Sequence, residues 1–167
     1  AKLYANKAEG FVGINLKKED NAEFICDCSD LSEIIVIRKD GKYLVTKVSE
    51  KAFFGKDILY VGLFDRNDQR TTYNVIYREG KTSISYAKRF NVTSVTRDKE
   101  YDITQGTPGS TILWFTVNHN AEAETVKIYY RQRPKLKKLI DEYDFSQLLI
   151  KGRASRGNLV SKNSIQK

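Results

Sequence analysis

The sequence predicts an all-β fold, an array of antiparallel hairpins repeated about every forty residues. Two observations carry this. Runs rich in Val, Ile, Tyr and Thr meet in pairs at Gly-containing turns, and those turns recur near residues 41, 80, 120 and 157. A fixed period of this length, with a hairpin as its unit, predicts a propeller-like or solenoid array. Such arrays usually present binding surfaces, which shifts expectation away from catalysis.

Taken in order, a weak first copy joins Leu3–Tyr4 to Phe11–Leu16 through Glu9-Gly10. Ile34–Lys39 and Lys42–Val48 meet at Asp40-Gly41, the clearest turn signal, because Gly and Asp tolerate the positive φ of tight turns. Ile34-Ile35-Val36-Ile37 is continuously apolar, as a strand covered on both faces should be. Tyr73–Arg78 and Lys81–Phe90 meet at Glu79-Gly80. Ile112–Val117 and Thr125–Tyr130 flank a polar stretch near Asn120, which reads as a fourth turn. Leu136–Ile140 has i, i+3, i+4 apolar spacing and leaves a short helix open, between Pro134 and Asp144. Leu148–Ile150 and Asn158–Ile165 flank a Gly-rich turn ending at Gly157.

The 167 residues suit one domain, 1–167, with a buried core. No apolar run approaches the roughly 20 residues that span a bilayer, and no signal-peptide-like start is present. Cys26 and Cys28 make no disulfide framework, so a cytoplasmic location is expected. The chain has no Met, and is expected to be excised from a longer protein. Charge is unevenly placed. Residues 1–125 hold 18 Lys+Arg and 18 Asp+Glu; residues 126–167 hold 11 and 3, so the whole net +8 lies in the last quarter. Clustered basic charge on a β array is the footprint of a phosphate-backbone binder. The bland alternative is a solubilising basic tail.

Other constellations are weaker. A zinc site needs about four ligands, and Cys26-x-Cys28 has only the distant His119 to join it. Gly106-Thr107-Pro108-Gly109-Ser110 lacks the Lys-Ser/Thr ending of a phosphate-cradling loop, and reads as a plain connection. No carboxylate pair reads as acid and base. The Tyr and Phe residues lie mostly within strand runs, which favours packing over base stacking. Gly152-Arg153-Ala154-Ser155-Arg156-Gly157-Asn158 differs: two Arg, a hydroxyl and two Gly in a turn suit contact with phosphate. A longer turn is the plain alternative.

Ile34–Val48 (IIVIRKDGKYLVTKV), Lys88–Gly106 (KRFNVTSVTRDKEYDITQG) and Leu149–Lys162 (LIKGRASRGNLVSK) together carry a resemblance. In their order and spacing the chain resembles the C-terminal domain of the A subunit of bacterial type IIA topoisomerases, topoisomerase IV and gyrase, in its Bacteroides-like form. The resemblance implies a β-pinwheel, a propeller-like ring of blades with strands exchanged between neighbours, incomplete or smaller here than in the largest members. It implies double-stranded DNA bent along a basic rim. The expected DNA contacts are Lys42, Lys47, Lys81, Lys88, Arg89, Arg131, Arg133, Lys135, Lys137, Lys138, Lys151, Arg153, Arg156 and Lys162.

The family's catalytic tyrosine belongs to an upstream domain. Mg2+ and ATP belong to other domains and to an ATPase partner subunit in an A2B2 assembly. No catalytic residue, metal site or cofactor of its own is therefore expected in this chain. The Gln-Arg-Arg-Gly-Gly box of gyrase is missing, which favours guidance of a DNA segment over chiral wrapping. A propeller-like protein-interaction module with a basic tail is the alternative reading; an enzyme is the third.

Overall fold

A computed structural model describes residues 1–16, 21–68, 71–93, 95–118, 125–129, 140–144 and 158–161, the last three segments by their backbone. All elements among them are strands. They are β1 (Lys2–Asn6), β2 (Phe11–Gly13), β3 (Glu23–Asp27), β4 (Glu33–Arg38), β5 (Lys42–Lys47), β6 (Ala52–Phe53) and β7 (Ile58–Phe64). There follow β8 (Thr72–Arg78), β9 (Ser85–Phe90), β10 (Tyr101–Asp102), β11 (Thr111–Asn118), β12 (Thr125–Tyr129), β13 (Ile140–Asp144) and β14 (Asn158–Ser161). These strands pair antiparallel throughout.

Three four-stranded sheets share one order. Each is built on a hairpin: β1–β2, β4–β5 and β8–β9. A further strand flanks the first hairpin strand: β3 on β1, β7 on β4 and β11 on β8. A returning strand flanks the second: β6 on β2, β10 on β5 and β14 on β9. Each returning strand lies, in sequence, after the next hairpin. The chain forms β4–β5 and then goes back to complete the first sheet with β6. It forms β8–β9 and goes back to the second sheet with β10. After β12 and β13, which pair as a two-stranded ribbon, it joins the third sheet as β14.

The chain divides into two compact units, Ala1–Asn67 with Ser94–Asp102, and Asp68–Thr93 with Ile103–Lys167. In the first unit, Leu3, Ala5 and Val12 of the first sheet pack on Ile34, Val36, Ile58 and Val61 of the second. The continuous apolar run predicts both-face burial, and Ile34–Ile37 are all at most 1% exposed. Each such side chain contributes roughly 1.5–3 kcal/mol through burial. In the second unit, Tyr73, Val75, Ile76, Tyr77, Ala87, Phe90, Ile103 and Ile112 are buried. Cys26 and Cys28 are free and pack against the first unit's core; burial, with Cys28 and Asp27 nearby, pushes the Cys26 thiol up.

The hairpins at Gly10, Gly41 and Gly80 follow the sequence reading. The one near Asn120 does not. Ile112–Val117 lies in β11, which pairs with β8, and β12 pairs with β13. Two strands adjacent in sequence therefore belong to different sheets, because β11 covers the buried strand β8 instead of turning back on its successor. β14 likewise pairs with β9. Leu148–Ile150, the Gly152–Gly157 turn and most of the Leu136–Ile140 run lie outside the described residues; Ile140 opens β13.

Two joints fix the hairpin ends. Gly10 has φ +91, and a Cβ there would stand 2.1 Å from the Gly55 carbonyl oxygen. Phe54 N–H donates to Gly10 O at 2.7 Å, so the loop after β6 sits directly on the first turn. The Arg38 guanidinium closes the other side of Gly55, donating through Nη1 to Phe54 O at 3.1 Å. Gly80 is similarly crowded: a Cβ would stand 2.0 Å from Pro108 O, and Gly80 N–H donates to Ser110 Oγ at 2.9 Å. The Gly106–Ser110 loop is thus a packing element against the third hairpin.

The returning strands β6 and β10 are only two residues long, and side chains complete their attachment. β6 places Phe53 opposite Phe11 with ring centroids 5.2 Å apart, and Lys51 Nζ lies 4.9 Å from the Phe11 ring. β10 places Tyr101 opposite Tyr43 at 5.7 Å, and Lys99 Nζ lies 5.4 Å from the Tyr101 ring. The spacing repeats: Lys51-Ala52-Phe53 and Lys99-Glu100-Tyr101. Such aromatic pairs are worth about 0.5–1.5 kcal/mol beyond their buried area. Polar contacts add to the second joint. Thr46 Oγ1 meets Asp98 Oδ1 at 2.5 Å, and Asp98 N–H donates to Val45 O at 2.8 Å. Arg66 Nη1 donates to Val95 O at 2.7 Å, and Arg97 pairs with Glu33.

Alanine at Gly10 combines a positive φ with a clash on backbone, and is expected to destabilise by more than about 2 kcal/mol. Gly106→Ala has φ +79 but nothing within 4 Å of its Cβ, so only backbone strain of about 1 kcal/mol applies. Urea unfolding of the two variants tests this, and equal losses would contradict the Gly10–Gly55 joint. A second expectation concerns pH. Hydrogen bonding from Arg66 is the largest influence on Glu33; burial opposes it, and Arg97 adds to it, holding the carboxyl below its ordinary 4.5. A carboxyl lowered in the folded state stabilises the fold above about pH 4.5 and loses that contribution as pH falls through its folded value. Glu33→Gln should therefore destabilise at neutral pH, with the difference from wild type narrowing below about pH 4.5. Denaturant midpoints at about pH 7 and about pH 3 measure it; a gap that widens on acidification would refute the linkage.

Candidate nucleic-acid interface

A β-hairpin array offers phosphate contacts where strand ends and turns bring Lys and Arg to the surface. Lys42 opens β5 and is exposed, but its Nζ lies 3.4 Å from Glu100 Oε1. Glu100 is shared with Arg38, whose guanidinium forks onto Asp40 at 3.2 and 2.8 Å. This corner is therefore close to neutral. Its recess, lined by Val36, Arg38, Lys42, Tyr43, Leu44, Phe54 and Glu100, has a volume of about 10 Å³, room for one water.

Lys47 closes β5 and is exposed. Lys81 is exposed in the turn between β8 and β9. Arg89 is half-buried, opposite Asn74 of β8. Lys88 sits differently. It is 1% exposed, its Nζ donates to Ile103 O at 3.4 Å, and it lies 4.8 Å from the Phe90 ring. A buried ammonium of this kind ties the segment after β10 to β9 and presents no surface to an external phosphate. Arg131, Arg133, Lys135, Lys137, Lys138, Lys151, Arg153, Arg156 and Lys162, like His119, lie outside the described residues.

The fold assembles a cationic corner that sequence order hides. Glu33 begins β4, and its side chain is 13% exposed. Arg66, just past β7, donates through Nε to Glu33 Oε1 at 2.8 Å and through Nη2 to Oε2 at 3.0 Å. Arg97, from the segment that leads into β10, donates through Nε to the same Oε2 at 3.0 Å. Lys47 is the direct cross-strand partner of Glu33, and directly opposed residues share a face of the sheet. Two guanidinium groups from separate stretches thus meet one carboxylate, with Lys47 opposite it across the strand pair. Of these only Lys47 is among the sequence-predicted contacts. No local pattern marks Arg66 or Arg97, because the return of residues 94–102 to the second sheet is what brings them together.

Among the described residues, no group of three or more His, Cys, Asp or Glu is arranged to hold a metal ion. Nor is any helix of them long and apolar enough to cross a membrane.

Comparison with known proteins bears on the whole chain. The family model described as Topoisomerase C-terminal domain, Bacteroidota, matches residues 2–167. The A subunit of DNA topoisomerase 4 from Borreliella burgdorferi (strain ATCC 35210 / DSM 4680 / CIP 102532 / B31) is 25% identical over 167 residues, covering 99% of this chain and 24% of that protein. The chain spans about a quarter of the length of this curated relative. No solved structure matches it. The chain belongs to the Topoisomerase C-terminal domain family of Bacteroidota.

Proposed function

We propose that this member of the Topoisomerase C-terminal domain family is a non-catalytic module that binds and bends duplex DNA within a type IIA topoisomerase. In this reading it contacts the phosphate backbone and guides a DNA segment toward strand passage. The observation that carries it is the charge distribution: residues 126–167 hold the entire excess of +8, in a chain whose first 125 residues are neutral. Counterion release makes such a cluster an affinity source that is indifferent to sequence. The name of the Borreliella relative supports the same direction.

The shared order of the three sheets and their returning strands support a β-pinwheel as the architecture. Mg2+, ATP and the cleaving tyrosine are then functions of the rest of an A2B2 enzyme, which works in the cytoplasm. Exposed Phe24, Leu31 and Phe53, at 52%, 77% and 61%, favour a protein-interaction module as the second reading.

Salt separates the two, since a phosphate binder loses affinity steeply as salt rises. Fluorescence anisotropy against one mixed-sequence duplex at several salt concentrations is the test. Replacing Arg131, Arg133, Lys135, Lys137 and Lys138 together with Gln should reduce the slope by roughly 0.9 for each phosphate no longer neutralised. Replacing Lys17 and Lys18 should change it less, because Glu19, Asp20 and Glu23 offset their field. Equal reductions from the two sets would remove the C-terminal excess as the DNA path. A wild-type chain that binds no duplex at low salt would remove the function.

A further inference from the structure

We propose that Arg97, held on Glu33 beside Arg66, and Lys47, opposite Glu33 across the strand pair, form a second phosphate contact on the duplex path, within the first 125 residues, whose net charge is zero. The inference rests on the duplex-binding reading above and adds a location that net charge does not reveal. Glu33 spends both carboxylate oxygens on Arg66, and shares Oε2 with Arg97 through Nε. Two guanidinium groups therefore meet Glu33, with Lys47 opposite it in the strand register, and these three cations outnumber the two nearby carboxylates, Glu33 and the Thr46-bonded Asp98. Among the described residues, no acceptor is in hydrogen-bond range of Lys47 Nζ or of the terminal Nη1 and Nη2 of Arg97.

Arg97 is 42% exposed and Lys47 is exposed, so their remaining donors are open to solvent. A guanidinium fixed through Nε, with Nη1 and Nη2 outward, presents the planar fork that fits phosphate oxygens. Arg66 plays another part: Nη1 is taken by Val95 O and Nε and Nη2 by Glu33, so it holds the carboxylate and the segment on which Arg97 is placed. The duplex backbone is the source preferred over a free anion. The corner lies at an exposed sheet end, where a single small anion would remain largely hydrated, whereas a polyanion adds counterion release at each contact.

The 167-residue chain is titrated with a mixed-sequence duplex of about 20 base pairs, by anisotropy, from about 50 to about 200 mM salt. Lys47→Gln with Arg97→Gln is compared with a charge-matched pair, Lys2→Gln with Lys56→Gln. The corner pair should reduce the salt slope by roughly 1.8, about 0.9 per contact, and the matched pair by clearly less. Lys47→Gln alone touches none of the Glu33 hydrogen bonds and should reduce it by about 0.9, which guards against a folding defect in the double variant. A wild type that binds with a salt-dependent affinity while both corner variants keep its slope overturns the corner and leaves the function standing. Equal reductions in the corner and matched pairs also overturn it. A wild type that binds no duplex at about 50 mM salt overturns both. Inorganic phosphate, exchanged for chloride at matched ionic strength, should weaken duplex binding equally in wild type and corner variant; selective competition in wild type would reassign the corner to a free anion.

Discussion

A strand left unpaired on one side exposes a row of backbone donors and acceptors, and this chain covers the second strand of each hairpin, β2, β5 and β9, with a strand from further along the sequence. β6 and β10 are each two residues long, so backbone pairing alone fixes them weakly. The attachment depends on one aromatic pair at each joint, Phe11 with Phe53 and Tyr43 with Tyr101, with a Lys beside a ring. Everything else near the joints follows from having to hold these short strands. Gly10 gives up its side chain so that the loop after β6 can lie against it. Arg38 braces Gly55, and Thr46, Glu33 and Arg66 hold the segment before β10.

The same requirement explains where charge ends up. The first 125 residues are neutral in sum, yet neutrality is not uniform in space. Lys42 and Arg38 share Asp40 and Glu100 and cancel. Arg66 and Arg97 share Glu33 and, with Lys47 opposite it, do not. Lys88 is withdrawn altogether into the second unit. Counting charges along a chain finds a basic terminus but not a basic corner, because corners are made by pairing of distant segments.

Legibility in the sequence followed the range of the interactions. Gly10, Asp40-Gly41 and Glu79-Gly80 are local signals, and all three hairpins form there. The both-face burial of Ile34–Ile37 is readable from its apolar run. β6 and β10 are not readable, since two residues carry no period. The Asn120 region misleads for a related reason: a polar stretch between two β-rich runs is the same whether the runs pair together or separate to different sheets. Only the partners decide, and β11 has the long apolar strand β8 available at 72–78. Lys88 reads as one more cation in an alternating strand, and the contact that buries it comes from Ile103, beyond β10. Arg66 and Arg97 stay hidden for want of the same long-range knowledge.

The returning strands also bear on how such a chain grows or shrinks by copying its repeats. A stretch of coding sequence that carries one hairpin and its flanking strand does not carry the strand that finishes that sheet; it carries the one that finishes the sheet before. Losing β4–β7 as a block would strip the first sheet of β6 and leave β10 with no β5 to join. A duplicated block, by contrast, arrives with a finishing strand for its predecessor and needs one from its successor. The inherited module and the folded module are therefore out of step by about one hairpin, and only insertions that keep this offset leave the second strand of every hairpin covered.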